Sequence, residues 1–116
     1  MKQRTFNIEQ SVAFSDTSAQ VREIVVTSAS RIAVWGVRPG QSVPAHRHPG
    51  GQDTWVVLQG ELTYLLGSGL RQVIRAGDLD VADANEVHGA VNEGVEDAIF
   101  LSIYSSPEIG WEKAEP

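Results

Sequence analysis

Three histidines are the residues of this chain best placed to do chemistry. Two of them form His46-Arg47-His48. Side chains two apart on a strand leave the same face, so both imidazoles can reach one point. Neutral imidazole is the commonest metal ligand in proteins. His88 stands at the start of another predicted strand, and it meets the first two only if the chain folds back. Pro49-Gly50-Gly51 follows His48 as a turn that can carry Gln52 or Asp53 over the imidazoles, and either brings an oxygen. A lone His-x-His arises readily by chance on polar strand faces; the nearby oxygen donors are what lift this one above that background. The chain has no cysteine, which excludes disulfides, thiolate zinc sites, iron–sulfur clusters and cysteine nucleophiles. Any metal is therefore held by nitrogen and oxygen.

A metal on three neutral imidazoles and one carboxylate keeps a net positive charge and leaves room for water or substrate. Such a centre can polarise a carbonyl or enolate oxygen, or lower the pKa of bound water. With Fe(II) it can activate dioxygen beside a chelated substrate. Mixed imidazole–carboxylate ligation suits Fe, Mn, Ni, Co and Zn alike, so the ligand set names no single metal.

The elements that must position these residues read as short β-prone runs punctuated by glycine and proline. Strands are predicted over 21–27, 31–37, 43–48, 53–58, 61–66, 70–75, 79–82, 87–91 and 98–104. Gly67-Ser68-Gly69 marks a hairpin between the fifth and sixth, and Ala76-Gly77-Asp78 marks the next turn. No stretch between residues 20 and 105 keeps a helical apolar period over three turns. Many short strands at regular spacing imply an all-β sandwich or barrel. The chain, 116 residues long, is expected to form one domain, with a barrel core at about 20–105. Residues 1–19 read as an N-terminal arm or edge strand, and 106–116 as an irregular tail that packs Trp111 on the barrel or on a partner.

These residues resemble a known pattern. Gly40, His46-x-His48, Asp53 and Gly60, separated by five, four and six residues, are similar to the first motif of the cupin superfamily, with Asp53 where the family usually has glutamate. Gly77, Asp83-x-Asn85, His88 and Asn92, separated by five, two and three residues, are similar to the second, with Asp83 for its proline and Asn85 for its glycine. The likeness runs from Gly40 to Asn92, and the short interval 61–76 is that of small single-domain bacterial cupins. It implies a double-stranded β-helix, a jelly-roll barrel, with one divalent metal inside the open end held by His46, His48, His88 and a fourth ligand. Asp53 has the register of that ligand; Gln52, one place earlier, is the alternative, and strand neighbours face opposite ways. Asn85 is expected to adopt the left-handed conformation of the glycine that it replaces.

With Asp53 inward, Trp55 and Val57 share its face, and Trp55 becomes a candidate wall of a ligand pocket. Tyr64, Asn92 and Tyr104 are weaker pocket candidates, and Arg38 and Arg47 are candidates to meet an anionic ligand at the mouth. The resemblance implies a metal-dependent dioxygenase, isomerase or lyase acting on a small oxygen-rich molecule. The alternative is a non-catalytic binding or sensing module with a structural metal. No P-loop, dinucleotide-binding turn or nucleophile elbow is present. The net charge of −6, with Lys and Arg scattered, argues against nucleic acid and anionic membranes as partners. No apolar run is long enough to cross a bilayer and none follows the first residues as a signal peptide would, so a cytoplasmic location is expected. The resemblance also implies a homodimer, since small cupins commonly pair barrel to barrel, which would cover exposed edge strands.

Overall fold

The computed structural model describes residues 2–116. It contains one short helix, α1 (Ile8–Ser11), and ten strands: β1 (Gln20–Val26), β2 (Arg31–Val37), β3 (Ser42–Arg47), β4 (Asp53–Gln59), β5 (Glu61–Gly67), β6 (Leu70–Arg75), β7 (Leu79–Ala82), β8 (His88–Val91), β9 (Ala98–Tyr104) and β10 (Glu112–Lys113). The strands form two antiparallel five-stranded sheets, in the orders β1-β2-β9-β4-β7 and β10-β3-β8-β5-β6. The expected jelly roll is therefore present as two facing sheets. Their hydrogen bonding does not close into a barrel, because β1, β7, β10 and β6 remain edges.

Alternation along the strands dictates what lies between the sheets. In β4, Asp53, Trp55 and Val57 are buried while Thr54 and Val56 are only partly covered. In β9, Ala98, Phe100 and Ser102 are the buried set. Val37, Trp55, Val57 and Phe100 of the first sheet meet Val43, Leu62, Tyr64, Ile74 and Ala90 of the second in one apolar cluster. This cluster fills one end of the sandwich. At the other end the same inward positions carry Asp53, Ser102 and Tyr104, and the interior there turns polar.

Turn chemistry fixes the strand ends. Asn85 has φ +68°, the left-handed conformation expected for it. Its N–H donates to the His48 carbonyl at 2.9 Å, tying the β7–β8 turn to the end of β3. Gly36 is demanded by close approach rather than by its dihedrals: a Cβ there would lie 2.3 Å from the Ala13 carbonyl oxygen. The residues before β1 hold α1, capped by the Asn7 side chain on the Gln10 N–H, and then an extended stretch laid against β2. They form no edge strand among the described residues. Beyond residue 105 the chain returns across the polar end and adds β10, which pairs with Arg47 and His46 of β3.

Candidate metal centre

His46 and His88 stand directly opposite one another on β3 and β8, in the second sheet. His48 lies just past the end of β3. Asp53 opens β4 in the first sheet, where it is paired on both sides, with Tyr104 and with Ala82. The four side chains meet in the gap between the sheets, each at most 5 % exposed. One ligand atom from each lies within 4.8 Å of all the others. Three imidazoles remote in sequence thus converge, and the carboxylate faces them.

The hydrogen bonds decide which nitrogen each imidazole presents. Nδ1 of His46 lies 2.7 Å from the Pro44 carbonyl, Nδ1 of His48 2.6 Å from the Gly110 carbonyl, and Nδ1 of His88 3.1 Å from the Glu86 carbonyl. A carbonyl only accepts, so each Nδ1 carries the hydrogen, and in the neutral ring Nε2 is left with a lone pair. Nε2 of His48 is buried with no hydrogen-bond partner, 3.3 Å from Asp53 Oδ2. Nε2 of His88 is 3.0 Å from the same oxygen. Lone pairs of buried nitrogens and of a carboxylate do not face one another at such distances without a cation between them. Two ligands about 2.1 Å from one ion and at right angles lie about 3.0 Å apart, so the spacing is that of ligands sharing a metal. The residues fit a divalent ion.

Asp53 is itself held by two further donors. Trp55 Nε1–H donates to Oδ2 at 3.0 Å, and Ser102 Oγ donates to Oδ1 at 2.7 Å. Burial pushes the carboxyl pKa up, but its contacts with the His48 and His88 rings and the hydrogen bond from Ser102 outweigh it and keep the group ionised well below the usual carboxylate range. Burial dominates at His46; with the neighbouring His88 and His48 it overcomes the Pro44 carbonyl and lowers the pKa to about 4. At neutral pH that imidazole is a free donor. Burial also disfavours charge on His48, yet the Asp53 carboxylate and the Gly110 carbonyl prevail and raise its pKa. Without a metal, a proton is drawn to the place that the ion would take.

A model of the cupin domain family matches residues 33–104 of the chain. The chain belongs to the cupin family. A solved structure of an uncharacterized conserved protein with a double-stranded β-helix domain from Klebsiella pneumoniae is similar to this cupin with a TM-score of 0.95 at 36 % identity, covering 99 % of this chain and 100 % of that one. An oxalate-binding protein of Thermotoga maritima is 32 % identical over 82 residues, 71 % of this chain and 67 % of that protein. A germin-like protein of Morus alba is 29 % identical over 76 residues, which is 62 % of this chain but 36 % of the relative, so this cupin spans about a third of that protein's length.

The structure brings His46, His48, Asp53 and His88 together, and it corrects Gln52. Gln52 precedes β4 on the side of Thr54, to whose hydroxyl its amide donates at 3.3 Å, and is not a ligand. Trp55 and Tyr104 do line the cavity beside the centre, and the Tyr104 ring lies 4.9 Å from His48. Burial, reinforced by the Asp53 charge, raises the Tyr104 pKa, so its hydroxyl stays protonated at neutral pH.

Two other pocket candidates are corrected. Tyr64 belongs to the apolar core, packed edge-on to Trp55, and its hydroxyl donates to Asp80, with which it lines a second, smaller cavity and not the one beside the centre. Asn92 is fully buried, its amide donating to the Val37 and Glu96 carbonyls while its oxygen accepts from Gly94 N–H; it is a strut between loops. The two arginines expected at the mouth are elsewhere. Arg38 lies over the Phe14 ring and pairs with Asp16 at 3.0 Å, and Arg47 lines no part of the cavity. Arg31 is the arginine that does, with Nε–H donating to the Pro107 carbonyl.

Sequence reasoning missed three contributors. Ser102 orients the carboxylate, and its inward register on β9 was the available signal. Gly110 orients His48 through its carbonyl, and nothing in its side chain could show that. Trp111 stacks on His46 with ring centroids 5.7 Å apart and planes at 20°. A bound metal would offer Lewis-acid polarisation of a ligand oxygen here; the protein groups fix the imidazole tautomers, anchor the carboxylate and screen the centre from bulk water.

Proposed function

We propose that this cupin holds one divalent metal ion on Nε2 of His46, His48 and His88 and on the Asp53 carboxylate, and that it acts on a small oxygen-rich molecule as a dioxygenase, isomerase or lyase. One observation carries the reading: three imidazoles with their Nδ1 atoms tied to backbone carbonyls gather around one buried carboxylate, with the free nitrogens of His48 and His88 on the same oxygen, at the inner end of a solvent-open cavity. Three neutral imidazoles and one carboxylate leave a divalent ion with one net positive charge, which favours an anionic or enolisable oxygen ligand.

A second reading, a binding module without turnover, has support of its own. The Thermotoga relative is an oxalate-binding protein. The acids on the cavity wall besides Asp53 are Glu23, already paired with Arg31, and the exposed Glu108, so no buried general base stands beside the centre. Elemental analysis of protein purified without chelator or histidine tag, alongside His88→Ala, tests the metal. Near-stoichiometric metal in the native chain and its loss in the variant are expected; equal metal content in both would refute the site. Oxygen uptake or product formation across diols, catechols, 1,3-diketones and sugar acids then separates the two readings. A homodimer belongs to the same proposal, with exposed Leu79 and Val81 on edge strand β7 and Leu70 and Val73 on edge strand β6 as surfaces that pairing would cover. Light scattering checks it.

A further inference from the structure

The cavity beside the metal centre is far larger than a ligand such as oxalate requires. Its volume is about 670 Å³. Six heavy atoms, each given no more than a water's share of about 30 Å³, fill less than about 180 Å³. A volume of this size falls instead within the range of pockets that bury a ring-sized or larger ligand.

Strand register shows where the extra space lies. On the inner face of the first sheet, Asp53 is opposite Tyr104, and Tyr104 is opposite Arg31. One row further in, Trp55, Ser102 and Ala33 align in the same way. Ala33 is followed on β1 by Glu23, and Trp35 by Val21. The floor therefore runs from the metal ligand on β4 across β9 and β2 to the edge strand β1. At about 4.8 Å between neighbouring strands it is roughly 14 Å long. Ala33 is its smallest side chain, and it leaves a hollow between Ser102 and Glu23. The roof is Val43 and Pro44 of β3 with Ile109 and Trp111 of the returning tail.

The chemistry of this floor is apolar and close to neutral. The fixed cation is Arg31, and its Nη1 is 2.6 Å from Glu23 Oε1, so the far end presents a closed ion pair that favours neither sign of charge. The charge that can attract a ligand sits at the Asp53 end, on the metal of the preceding proposal, on which this inference rests.

We infer that the ligand of this cupin carries an uncharged, ring-sized apolar body behind its metal-binding oxygens, with the body lying over Ala33 and under Trp111 toward Trp35. Oxalate or a comparably small acid would occupy the metal end alone and leave the rest of the floor to water.

Two hydroxamates with the same chelating head test this on the full chain loaded with Zn²⁺, by calorimetry. Acetohydroxamate has the head only; benzohydroxamate adds a ring. Benzohydroxamate is expected to bind at least about tenfold more tightly, the gain of burying a ring's apolar area. Ala33→Leu fills the hollow and should reduce the ratio to less than about threefold, and Trp111→Ala, at an exposed position, should cut it at least about threefold. Zn²⁺ stoichiometry of each variant confirms a folded centre. A wild-type ratio below about threefold, or a ratio unchanged in both variants, overturns the inference while leaving the metal site standing. Failure of the native chain to take up Zn²⁺ overturns the metal proposal, and this inference with it.

Discussion

Replacement of Ser102 by alanine isolates the part of the centre that Asp53 depends on. Ser102 is 3 % exposed, and its hydroxyl donates to Asp53 Oδ1 at 2.7 Å, on the oxygen turned away from the imidazoles. A hydrogen bond to an ionised buried group is worth about 1.5–3 kcal/mol. Ser102 also lines the cavity, so in the variant a water can reach Oδ1, which places the loss at the lower end, about 1.5 kcal/mol. For a domain of this size that lowers Tm by about 6 °C. The effect on metal is larger in proportion. Trp55 still holds Oδ2, but Oδ1 loses its protein donor and the carboxylate gains freedom to turn, and loss of such an outer partner commonly weakens metal affinity about tenfold or more. Ser102→Thr keeps the hydroxyl and places its methyl toward the hollow beside Ala33, so it should restore most of the affinity. Competition against a chromophoric Zn²⁺ chelator gives the affinity, and circular dichroism of the metal-free protein gives Tm. Ser102→Ala binding Zn²⁺ within twofold of the native chain, or Ser102→Thr behaving like Ser102→Ala, would refute the claim that this hydroxyl positions Asp53.

Metal binding at pH 6 should release protons, because His48, with its raised pKa, must lose the proton that Asp53 retains there, whereas His46, lowered to about 4, is already neutral and contributes none; calorimetry in two buffers of different ionisation enthalpy measures it, and zero release contradicts the assignment. In the metal-free protein His46 should erode stability as pH falls from about 6.5 to about 4, since the unfolded imidazole takes a proton that the folded one refuses, while the contribution of Asp53 persists until pH falls below the ordinary carboxylate range; urea unfolding across that window reads the slope, and a flat profile is the adverse result. Tyr64→Phe should cost about 1–3 kcal/mol through the Asp80 carboxylate left without its donor, yet keep Zn²⁺ affinity within twofold; a large loss of affinity would return Tyr64 to the site. A chain ending at Ser106 loses the Gly110 carbonyl that fixes His48, and its Zn²⁺ affinity should fall about tenfold to a hundredfold; undiminished affinity in a folded truncation would remove the tail from the centre.

What could be read from residues alone was whatever repeats locally. Glycine, proline and β-branched runs mark strand ends, so nine strands fall within a residue or two of their predicted bounds. His46 and His48 announced a shared face by their spacing, and the likeness to the cupin motif pointed to Asp53, with Gln52 left open beside it. The missing information is long-range. A tyrosine hydroxyl or an asparagine amide looks like pocket chemistry until its partners are known, and those of Tyr64 and Asn92 are Asp80 and distant backbone carbonyls. Arg38 and Arg47 were the arginines expected at the mouth, and only the pairing of β2 with β9 shows that Arg31 stands in the row of Tyr104 and Asp53. Strand β10 has two residues and no pattern to read.

Aspartate in place of the usual glutamate shows how such departures are absorbed. The shorter side chain must bring the ion nearer its own strand or bring the strands together. β4 is pinned at Asp53 by β7 and β9, so the carboxylate starts from a rigid backbone. Its two oxygens are then divided between tasks: Oδ1 is spent on Ser102, and Oδ2 lies 3.0 Å from His88 Nε2 and 3.3 Å from His48 Nε2. The imidazoles are set from the other side by three backbone carbonyls, one of them on the returning tail. A glutamate would have reach to spare and need less of this. With aspartate, precision passes to the neighbours, so the groups expected to decide metal affinity after the four proposed ligands are the Ser102 hydroxyl, the Trp55 indole and the Pro44, Glu86 and Gly110 carbonyls, none of them a charged group.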